Sequence, residues 1–459
     1  MADALDELNI HDENGALASD FVQAVSDAID ERDAKALRAL VKPMHEADIA
    51  DLIEFLRPAE RPIFIELQGR TFDPEVLPEL AETVRDELVD ALPNQTLATA
   101  IRKLDTDDAV YLLEDLDEAE KQDILAKVPR AEREAVRRSL DYNEDSAGRL
   151  MQAEFVAVPP FWSVGQTIDY MRTEDDLPNS FVEIFVIDPL FHLAGTVPVS
   201  RLLRTKREVS IGDLMDTEQT IFHVDDEQED LAYKFQQYNL ISAAVVDNDE
   251  RLVGMVTIDD VVDVIREETE EDMARMAGLG DEEITDTVFT TVKARFIWLF
   301  VNLLTAILAS AVISLFDATI EQMVALAILM PIVASMGGNA GTQTMTVAVR
   351  ALATRDLGAV NATRVVMRET TVGVLNGLLF AVIMGAFTVF WFGSEQLGIV
   401  IGAAMIVNLL VAALAGILIP LVLDQMDVDP AVASSVFVTT VTDVVGFFAF
   451  LGLAALWLV

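Results

Sequence analysis

The sequence contains no cysteine among its 459 residues. Disulfide frameworks, iron–sulfur clusters and thiolate metal sites are therefore excluded. The four histidines and the scattered glycines form no nucleophile–base arrangement and no phosphate-binding loop. We therefore expect a protein that is not an enzyme.

Basic residues are scarce, with 32 Lys and Arg against 77 Asp and Glu, a net charge of −45. Only 9 acids and 6 bases follow residue 290, which leaves 68 acids and 26 bases, a net charge of −42, in the first 290 residues. So acidic a region repels nucleic acid and anionic lipid and concentrates cations. A merely solubilising surface and adaptation to a salty cytoplasm are alternative explanations. We expect no nucleic-acid partner.

Long stretches without charge fill the second half of the chain. Each exceeds the ~20 residues that cross a bilayer. They cover residues 296–316, 322–349, 370–394, 396–423 and 430–459, the last interrupted only by Asp443. The sequence thus predicts five membrane-spanning helices in the lipid bilayer.

The flanking charges predict the orientation of these spans. Lys293 and Arg295 precede the first span, four arginines lie between the second and third, and the connectors 317–321 and 394–396 carry acids but no base. The beginning, MADALDELNI, lacks the basic and apolar regions of a cleaved signal peptide. The positive-inside rule then predicts a multi-pass protein of the cytoplasmic (inner) membrane. Its N-terminus and soluble domains are expected in the cytoplasm and its C-terminus outside.

The second span is unusually polar. From Met330 it reads MPIVASMGGNAGTQTMTVAVR, in which Pro331 favours a kink and glycines 337, 338 and 341 expose backbone. Amides and hydroxyls at this depth are tolerated only where they face protein or water. Close helix packing through small residues is the alternative explanation for the glycines. The density of polar groups favours a pore lining.

The last span contains the acid Asp443. An acid near the centre of a span costs at least ~2.5–3.5 kcal/mol, so it normally faces a partner, a cavity or an ion path. Thr439, four residues earlier, lies on the same helix face. A bond to a neighbouring helix is the alternative, but the charge-free stretches offer no lysine or arginine to neutralise the acid. The pattern predicts a cation pathway.

An internal repeat precedes the membrane half. EIFVIDPLFHLAGTVPVSRLL from Glu183 parallels SAAVVDNDERLVGMVTIDDVV from Ser242. Asp188 and Gly195 correspond to Asp247 and Gly254, a period of 59 residues. A repeated strand–turn–strand–helix unit predicts a pseudo-symmetric pair of α/β modules.

The other soluble segments are read from composition and leucine spacing. Leucines three to four apart, broken by Pro and Asp, predict stacked short helices. The charged segment that leads into the membrane predicts a connecting helix, with a break at Gly278 and Gly280. We predict these domains: an acidic disordered tail (1–19), a helical domain (20–146), the two modules (147–207 and 208–266), the connector (267–294) and five membrane helices (295–459).

Together these features resemble the MgtE family of magnesium channels. The most specific matches are Pro331 with GGNAGTQ at 337–343, and DPAVASSVFVTTVTDVVGF from Asp429. The resemblance implies a multidomain membrane protein with an α-helical N-terminal superhelix, paired α/β CBS modules, a connecting plug helix and a five-helix transmembrane domain. It also implies a Mg²⁺-selective uptake channel that cytosolic Mg²⁺ closes.

The resemblance assigns residues to two kinds of metal site. It implies a homodimer with a pore on the two-fold axis, to which both chains contribute Asp443, and we expect Asn339, Gly337, Gly338 and Thr439 to line it. Regulatory Mg²⁺ is expected at Asp259, Asp260, Asp263, Glu268, Glu271, Asp272 and Asp429, with Asp107 and Asp108 as weaker matches.

The sequence departs from the family pattern at two places. Ser435–Val436 stands where the family often has Asn or Ser followed by Pro. The first CBS repeat has Ser200 at the position of a ribose-binding Asp, whereas the second keeps Thr257 and Asp260. ATP is therefore expected at no more than one module.

Alternative functions are a secondary transporter of divalent cations such as Co²⁺ or Mn²⁺, with Asp443 as the coupling site, and a CBS nucleotide sensor with a membrane anchor. The GGNAGTQ span argues against an anchor, which needs no such groups. A chloride channel is disfavoured because the predicted pore offers a carboxylate and no base. The choice among Mg²⁺, Co²⁺, Mn²⁺ and Ca²⁺ stays open.

Overall fold

The computed structural model describes residues 9–13, 15–174, 177–178, 180–279, 288–358, 360–426, 428–433 and 435–458. The chain divides into two compact units, Met1–Arg266 and Glu267–Val459. Much of the predicted acidic tail, residues 1–8 and 14, lies outside the described residues, as do 280–287 of the connector with Gly280.

The first unit begins with short helices, which confirms the predicted helical domain. Asp33 caps the second helix by accepting from the backbone N–H groups of Lys35 and Ala36. Apolar residues such as Phe21, Leu52 and Phe64 are fully buried between the helices. The helices are α1 (Ser19–Asp30), α2 (Ala34–Val41), α3 (Glu46–Phe55), α4 (Arg61–Gln68), α5 (Glu82–Ala91), α6 (Asn94–Ile101), α7 (Thr106–Leu113), α8 (Glu118–Leu125) and α9 (Arg130–Leu140).

Two three-stranded sheets follow, and they confirm the repeat. In each, the first strand is parallel to the second and the second is antiparallel to the third. Val186 pairs with Gly195 and Val245 with Gly254, the same register 59 residues apart. The strands are β1 (Ala157–Val158), β2 (Glu183–Ile187), β3 (Leu193–Pro198), β4 (Ile221–His223), β5 (Ser242–Val246) and β6 (Leu252–Thr257). The accompanying helices are α10 (Ala147–Leu150), α11 (Val164–Thr173), α12 (Val199–Leu203), α13 (Ile211–Leu214) and α14 (Gln228–Tyr238).

The two modules exchange their opening segments. Ala147 and Met151 pack in the core of the second sheet, with Phe222 and Phe235. Ile211 packs in the core of the first sheet, and its N–H donates to Trp162 O. The hydrophobic cores therefore interlock, and a cut of the chain between residues 207 and 208 does not separate them.

Among the described residues, five helices are long and apolar enough to cross a membrane, and all five lie in the second unit. Helix α15 begins in the first unit and ends at Met276, and Gly278 follows with a φ of +73°. The helices are α15 (Ile258–Met276), α16 (Val288–Ser314), α17 (Asp317–Gln322), α18 (Ala325–Ala353), α19 (Ala362–Phe392), α20 (Glu395–Asp424) and α21 (Ser435–Trp457).

Helix α20 is at the centre of the membrane half. It packs on α18, α19 and α21, and its residues Val400, Ile401 and Met405 are fully buried. Helix α19 starts at Ala362, eight residues before the charge-free stretch that begins at 370. The helix therefore includes Arg364, Arg368 and Glu369, because a backbone can stay helical where arginine side chains reach back to the headgroups.

Candidate functional site

Asp443 lies half-buried in α21. Its Oδ1 is buried and has no hydrogen-bond partner in the part of the chain that the structure describes. Thr439 lies one turn earlier and faces Gly338 of α18, where an added Cβ would be 3.5 Å from Thr439 Cγ2. The structure thus brings two of the predicted pore residues, Gly338 and Thr439, to the contact between α18 and α21, one turn before Asp443.

A row of exposed polar side chains follows one side of α18. We call Ser335, Asn339, Gln343 and Thr346 the polar stripe; all four are exposed in the single chain. Asn339 Nδ2 donates to Ser335 Oγ over 3.4 Å, and Thr346 Oγ1 donates to a backbone carbonyl of its own helix. In a membrane such a surface must face protein or water.

Gly337, by contrast, packs against Asn408 of α20. A Cβ added at Gly337 would lie 2.3 Å from Asn408 Nδ2, and one added at Gly446 of α21 would lie 3.0 Å from the same amide. Asn408 is fully buried; its Nδ2 donates to Val333 O over 2.7 Å, and its Oδ1 has no partner within the described residues. Sequence reasoning missed Asn408, although a single amide in the apolar stretch 396–423 was a visible signal.

In the first unit, the predicted regulatory residues form one group. We call Asp107, Asp108, Asp259, Asp260 and Asp263 the first carboxylate cluster. Asp107 and Asp108 lie in the first turn of α7, and the other three in the first turns of α15. Asp107 and Asp108 are both close enough to Asp260 to be affected by its charge.

Burial and repulsion from neighbouring acids raise the pKa values of Asp107, Asp108 and Asp260 in this cluster. Burial, followed by the charges of Asp260 and Asp105, raises the pKa of Asp108 to about 7. Burial is also the main cause that raises the pKa of Asp260 to about 6, and it raises the pKa of Asp107 well above its ordinary value. Acids in this state are stabilised by a proton or by a cation between them.

Three further acids, which were not among the predicted site residues, lie near the first carboxylate cluster. Burial and Glu154 raise the pKa of Asp105, and burial and Asp263 raise that of Glu79. Glu154 accepts from Thr106 N and Thr106 Oγ1 over 3.1 and 2.8 Å at the start of α7. These residues are distant in sequence and share no motif, so only the fold brings them together.

The predicted nucleotide-binding pair is bonded to itself. Thr257 Oγ1 donates to Asp260 Oδ2 over 2.7 Å. Because Asp260 also belongs to the first carboxylate cluster, a polyphosphate beside it meets negative charge. ATP binding there remains a prediction.

In the second unit, the predicted residues gather around a base. We call Glu268, Glu271, Asp272 and Asp429 the second carboxylate cluster. Arg275 of α15 forms ion pairs with Glu271 and with Asp429, and the sequence prediction overlooked this base. Burial, then Asp429 and Glu268, raises the pKa of Asp272 to about 6.

The end of α15 also contacts membrane helices within this unit. Met276 packs against Met345 and Val349 of α18 and Val438 of α21. Val438 directly precedes Thr439, and it touches Gly341 of α18. A change at the second carboxylate cluster therefore has a short path of packed side chains to the predicted pore residues.

One further group of acids is present, at Glu82, Asp86 and Asp115. Their ligand atoms lie within 4.8 Å of one another. Arg85 Nε donates to Asp86 over 3.2 Å and its NH2 group donates to Asp115 over 2.6 Å. An internal arginine already compensates this charge.

Known proteins resemble the chain over nearly its whole length. The protein of Thermus thermophilus named "Magnesium transporter MgtE" is 31% identical over 453 residues, which are 95% of this chain and 98% of that one. Its namesake in Bacillus subtilis is 30% identical over 362 residues, 78% and 80% of the two chains. The chain belongs to the MgtE family.

Family models and a solved structure agree with this assignment. The MgtE model, described as a divalent cation transporter, matches residues 330–453; the MgtE intracellular N domain matches 44–145 and the CBS domain 211–267. A crystal structure of the cytosolic domain of the Mg²⁺ channel MgtE in complex with ATP has a TM-score of 0.50 and 28% identity. It matches 53% of this chain and 99% of its own length.

Proposed function

We propose that this protein carries Mg²⁺ across the cytoplasmic membrane through a pore with Asp443 at its cation site. The observation that carries the proposal is the buried, unpartnered Oδ1 of Asp443 inside a membrane helix. A buried carboxylate oxygen without a partner is costly unless a cation or water meets it. Relatives that are named magnesium transporters support Mg²⁺ as that cation.

The side chains near Asp443 suit this ion. Mg²⁺ takes oxygen ligands and loses its water reluctantly. Thr439 and the amides and hydroxyls of the polar stripe offer oxygen, which can hold a hydrated ion by its waters. No lysine or arginine is present in residues 430–459 to repel a cation.

The same helices support a homodimer with C₂ symmetry. The polar stripe is exposed in one chain, although lipid cannot satisfy its hydrogen-bonding groups. A second copy related by a two-fold axis would cover this surface and would add a second Asp443. Two carboxylates facing one axis repel each other unless a cation lies between them, which selects for positive charge.

The two carboxylate clusters supply a means of regulation. Cytosolic Mg²⁺ would neutralise the raised-pKa acids of the first carboxylate cluster and favour a compact arrangement of that unit. Glu268, Glu271 and Asp272 of the second carboxylate cluster lie on α15, and the end of this helix packs against Val438. We propose that Mg²⁺ at these residues closes the pore, and that the soluble domains therefore lie in the cytoplasm with the C-terminus outside.

ATP is proposed as a second ligand of the soluble unit, at Thr257 and Asp260. The solved cytosolic domain that resembles this chain was crystallised with ATP. Since Asp260 lies among acids here, we expect the nucleotide to bind with Mg²⁺, which offsets the phosphate charge.

Neutralising the pore acid tests the proposal. In liposomes, Asp443→Asn should reduce Mg²⁺ influx to the background level, because both charges of the symmetric site disappear together. The matched control is Asp317→Asn, which removes an exposed acid of the connector before α18 and should leave the influx unchanged. Wild-type influx through a well-folded Asp443→Asn protein would refute the pore site.

The same assay separates a channel from a secondary transporter that uses Asp443 as a coupling site. A channel current should reverse at the Mg²⁺ equilibrium potential whatever the pH or Na⁺ gradient. Dependence of the reversal potential on either gradient would favour the transporter.

A cysteine at Thr439 tests the homodimer. The native chain has no cysteine, so Thr439→Cys introduces a single thiol per chain. A short bifunctional thiol reagent should link two chains through this position, because it lies beside the predicted axis. Leu375→Cys, on the exposed side of α19, is the control and should not cross-link. A monomer that still conducts Mg²⁺ would contradict this assembly.

A further inference from the structure

A cavity of about 250 Å³ lies among α18, α19 and α20, and of its lining residues the proposed pore uses only Gln343. Its polar lining comes from Gln343 and Thr344 of α18 and from Arg368, Glu369 and Asn376 of α19, and Leu409 and Ala413 of α20 also line it. It faces a different side of α18 from Gly338 and Gly341, which contact Thr439 and Val438 of α21. The cavity is therefore separate from the surroundings of Asp443.

Glu369 gives this cavity its character. The residue is only 8% exposed, although it lies inside a helix that is apolar enough to span a membrane. Its nearest base is Arg368, whose Nε is 3.9 Å from Glu369 Oε1 and whose side chain is 73% exposed. Because this ion pair is long and its arginine is exposed to solvent, it compensates little of the negative charge of Glu369. Within the described residues, no hydrogen bond reaches the Glu369 carboxylate.

The lining residues provide what this carboxylate lacks. Two side-chain amides and one hydroxyl share the cavity with it, and all three types carry oxygen that a hard cation accepts as ligand. The volume also leaves room for several water molecules beside an ion, so the ion need not lose its whole hydration shell. Neutral lipid tails would leave the charge unpaired.

We propose that this cavity is a second cation site of the membrane half, which holds a partly hydrated divalent cation between Glu369 and the side-chain oxygens of Gln343, Thr344 and Asn376. This proposal rests on the proposed function, because the cation in the cavity is taken to be the transported Mg²⁺. Arg364 and Arg368, near the beginning of α19, place the cavity toward the cytoplasmic end of the bundle by the positive-inside rule. Gln343 belongs to both the polar stripe and the cavity, and so connects the two.

Protection of an introduced thiol tests this site in the full-length protein. Val372 lines the cavity one turn after Glu369 and is 43% exposed, so Val372→Cys should react with 2-aminoethyl methanethiosulfonate. Mg²⁺ at about ten times its dissociation constant should slow this reaction about tenfold, since about one site in ten stays empty. Leu375→Cys, which is 61% exposed and outside the cavity, should react at the same rate with and without Mg²⁺.

Double variants, in which Val372→Cys is combined with a change at Glu369 or at Asp443, distinguish the cavity from the pore. Val372→Cys with Glu369→Gln should lose the protection, whereas Glu369→Asp, which keeps the charge, should retain it. Val372→Cys with Asp443→Asn should retain the protection while losing Mg²⁺ influx.

Unchanged protection in Glu369→Gln, or no protection in any variant, would overturn the second site. Loss of protection in Asp443→Asn would also overturn it, because the thiol would then report only on the pore. The influx through Asp443→Asn tests the proposed function independently of these results.

Discussion

The two carboxylate clusters differ in how their negative charge is compensated. Burial, followed by the charges of neighbouring acids, raises the pKa values of Asp107, Asp108 and Asp260 in the first carboxylate cluster. Among the described residues, the cluster's only ion pair with a base is the exposed one between Asp263 and Arg266, at 3.6 Å. In the second carboxylate cluster, Arg275 pairs with both Glu271 and Asp429. The three buried acids of the first cluster therefore depend on an external proton or cation, whereas the second cluster contains an arginine between two of its acids.

This difference leads us to propose different regulatory roles for the two clusters. A metal ion bound at the first carboxylate cluster replaces repulsion by attraction, so we expect the larger gain in binding free energy there. At the second carboxylate cluster, the ion must compete with a guanidinium group that is already in place. We infer that the first cluster sets the sensitivity to Mg²⁺ and that the second transmits its effect to the pore helices.

The largest expected effect comes from neutralising the first carboxylate cluster. Asp107→Asn combined with Asp260→Asn should raise the cytosolic Mg²⁺ concentration that halves the flux by about tenfold or more, which corresponds to about 1.4 kcal/mol of binding free energy. Flux into liposomes that are preloaded with graded Mg²⁺ measures this. Asp51→Asn, an exposed acid on α3, is the control and should leave the sensitivity unchanged. An unaltered sensitivity in the double variant would remove the first cluster from the sensor.

The pH dependence tests the raised pKa values of the first carboxylate cluster. Metal ions bind the deprotonated carboxylates, so a group with a pKa of about 7, such as Asp108, should weaken Mg²⁺ binding about tenfold between pH 8 and pH 6. Without Mg²⁺, the stability of the fold should change with pH in the opposite direction, falling as the pH rises. Raised pKa values favour the folded state at low pH, and this contribution is lost as the pH rises through about 6 to 7.

Melting temperatures of the full-length protein check both statements. With a chelator, the melting temperature of the first unit should fall from pH 5.5 to pH 8, and added Mg²⁺ should restore it at pH 8 but have little effect at pH 5.5. A Mg²⁺ effect that is equal at the two pH values would contradict the raised pKa values of Asp108 and Asp260.

The smallest effect is expected at Arg275. Arg275→Gln frees the carboxylates of Glu271 and Asp429 and should strengthen Mg²⁺ binding about two- to fivefold, because a partly exposed ion pair contributes ~0.5–1 kcal/mol. Calorimetric titration of Arg275→Gln in the Asp107→Asn/Asp260→Asn background isolates the second carboxylate cluster. Its control, Arg364→Gln, removes an exposed base of α19. Weaker binding in Arg275→Gln would mean that the arginine organises the site instead of competing for it.

The sequence predicted those parts of the fold that local patterns encode. The period of 59 residues appears in the strand register of Val186 with Gly195 and of Val245 with Gly254. The charge-free stretches correspond to the five apolar helices. In both cases the signal lies within a short window, so no knowledge of distant contacts was needed.

Contacts between distant segments were not predictable in this way. Arg275 meets Asp429 across 154 positions, and Thr106 meets Glu154 across 48. The exchange of the segments around Ala147 and Ile211 likewise depends on how two cores assemble. No single window of the sequence contains both partners of such a contact.

The membrane half shows the same limit at single residues. Asp443 and Asn339 were noticed because they interrupt apolar stretches. Glu369 was not, because it directly follows Arg368 and was assigned to a connector. Only the helix that begins at Ala362 shows Glu369 to be a buried acid within a span.

Current recording from inside-out membrane patches, with Mg²⁺ as the permeant cation and graded Mg²⁺ on the cytosolic side, tests the central claim most directly. The account predicts an inward Mg²⁺ current at low cytosolic Mg²⁺ that closes in the millimolar range, as expected for weak carboxylate sites that leave water on the ion. It also predicts that Asp443→Asn carries no current at any concentration. A current that persists in Asp443→Asn, or that ignores cytosolic Mg²⁺ in the native protein, would contradict it.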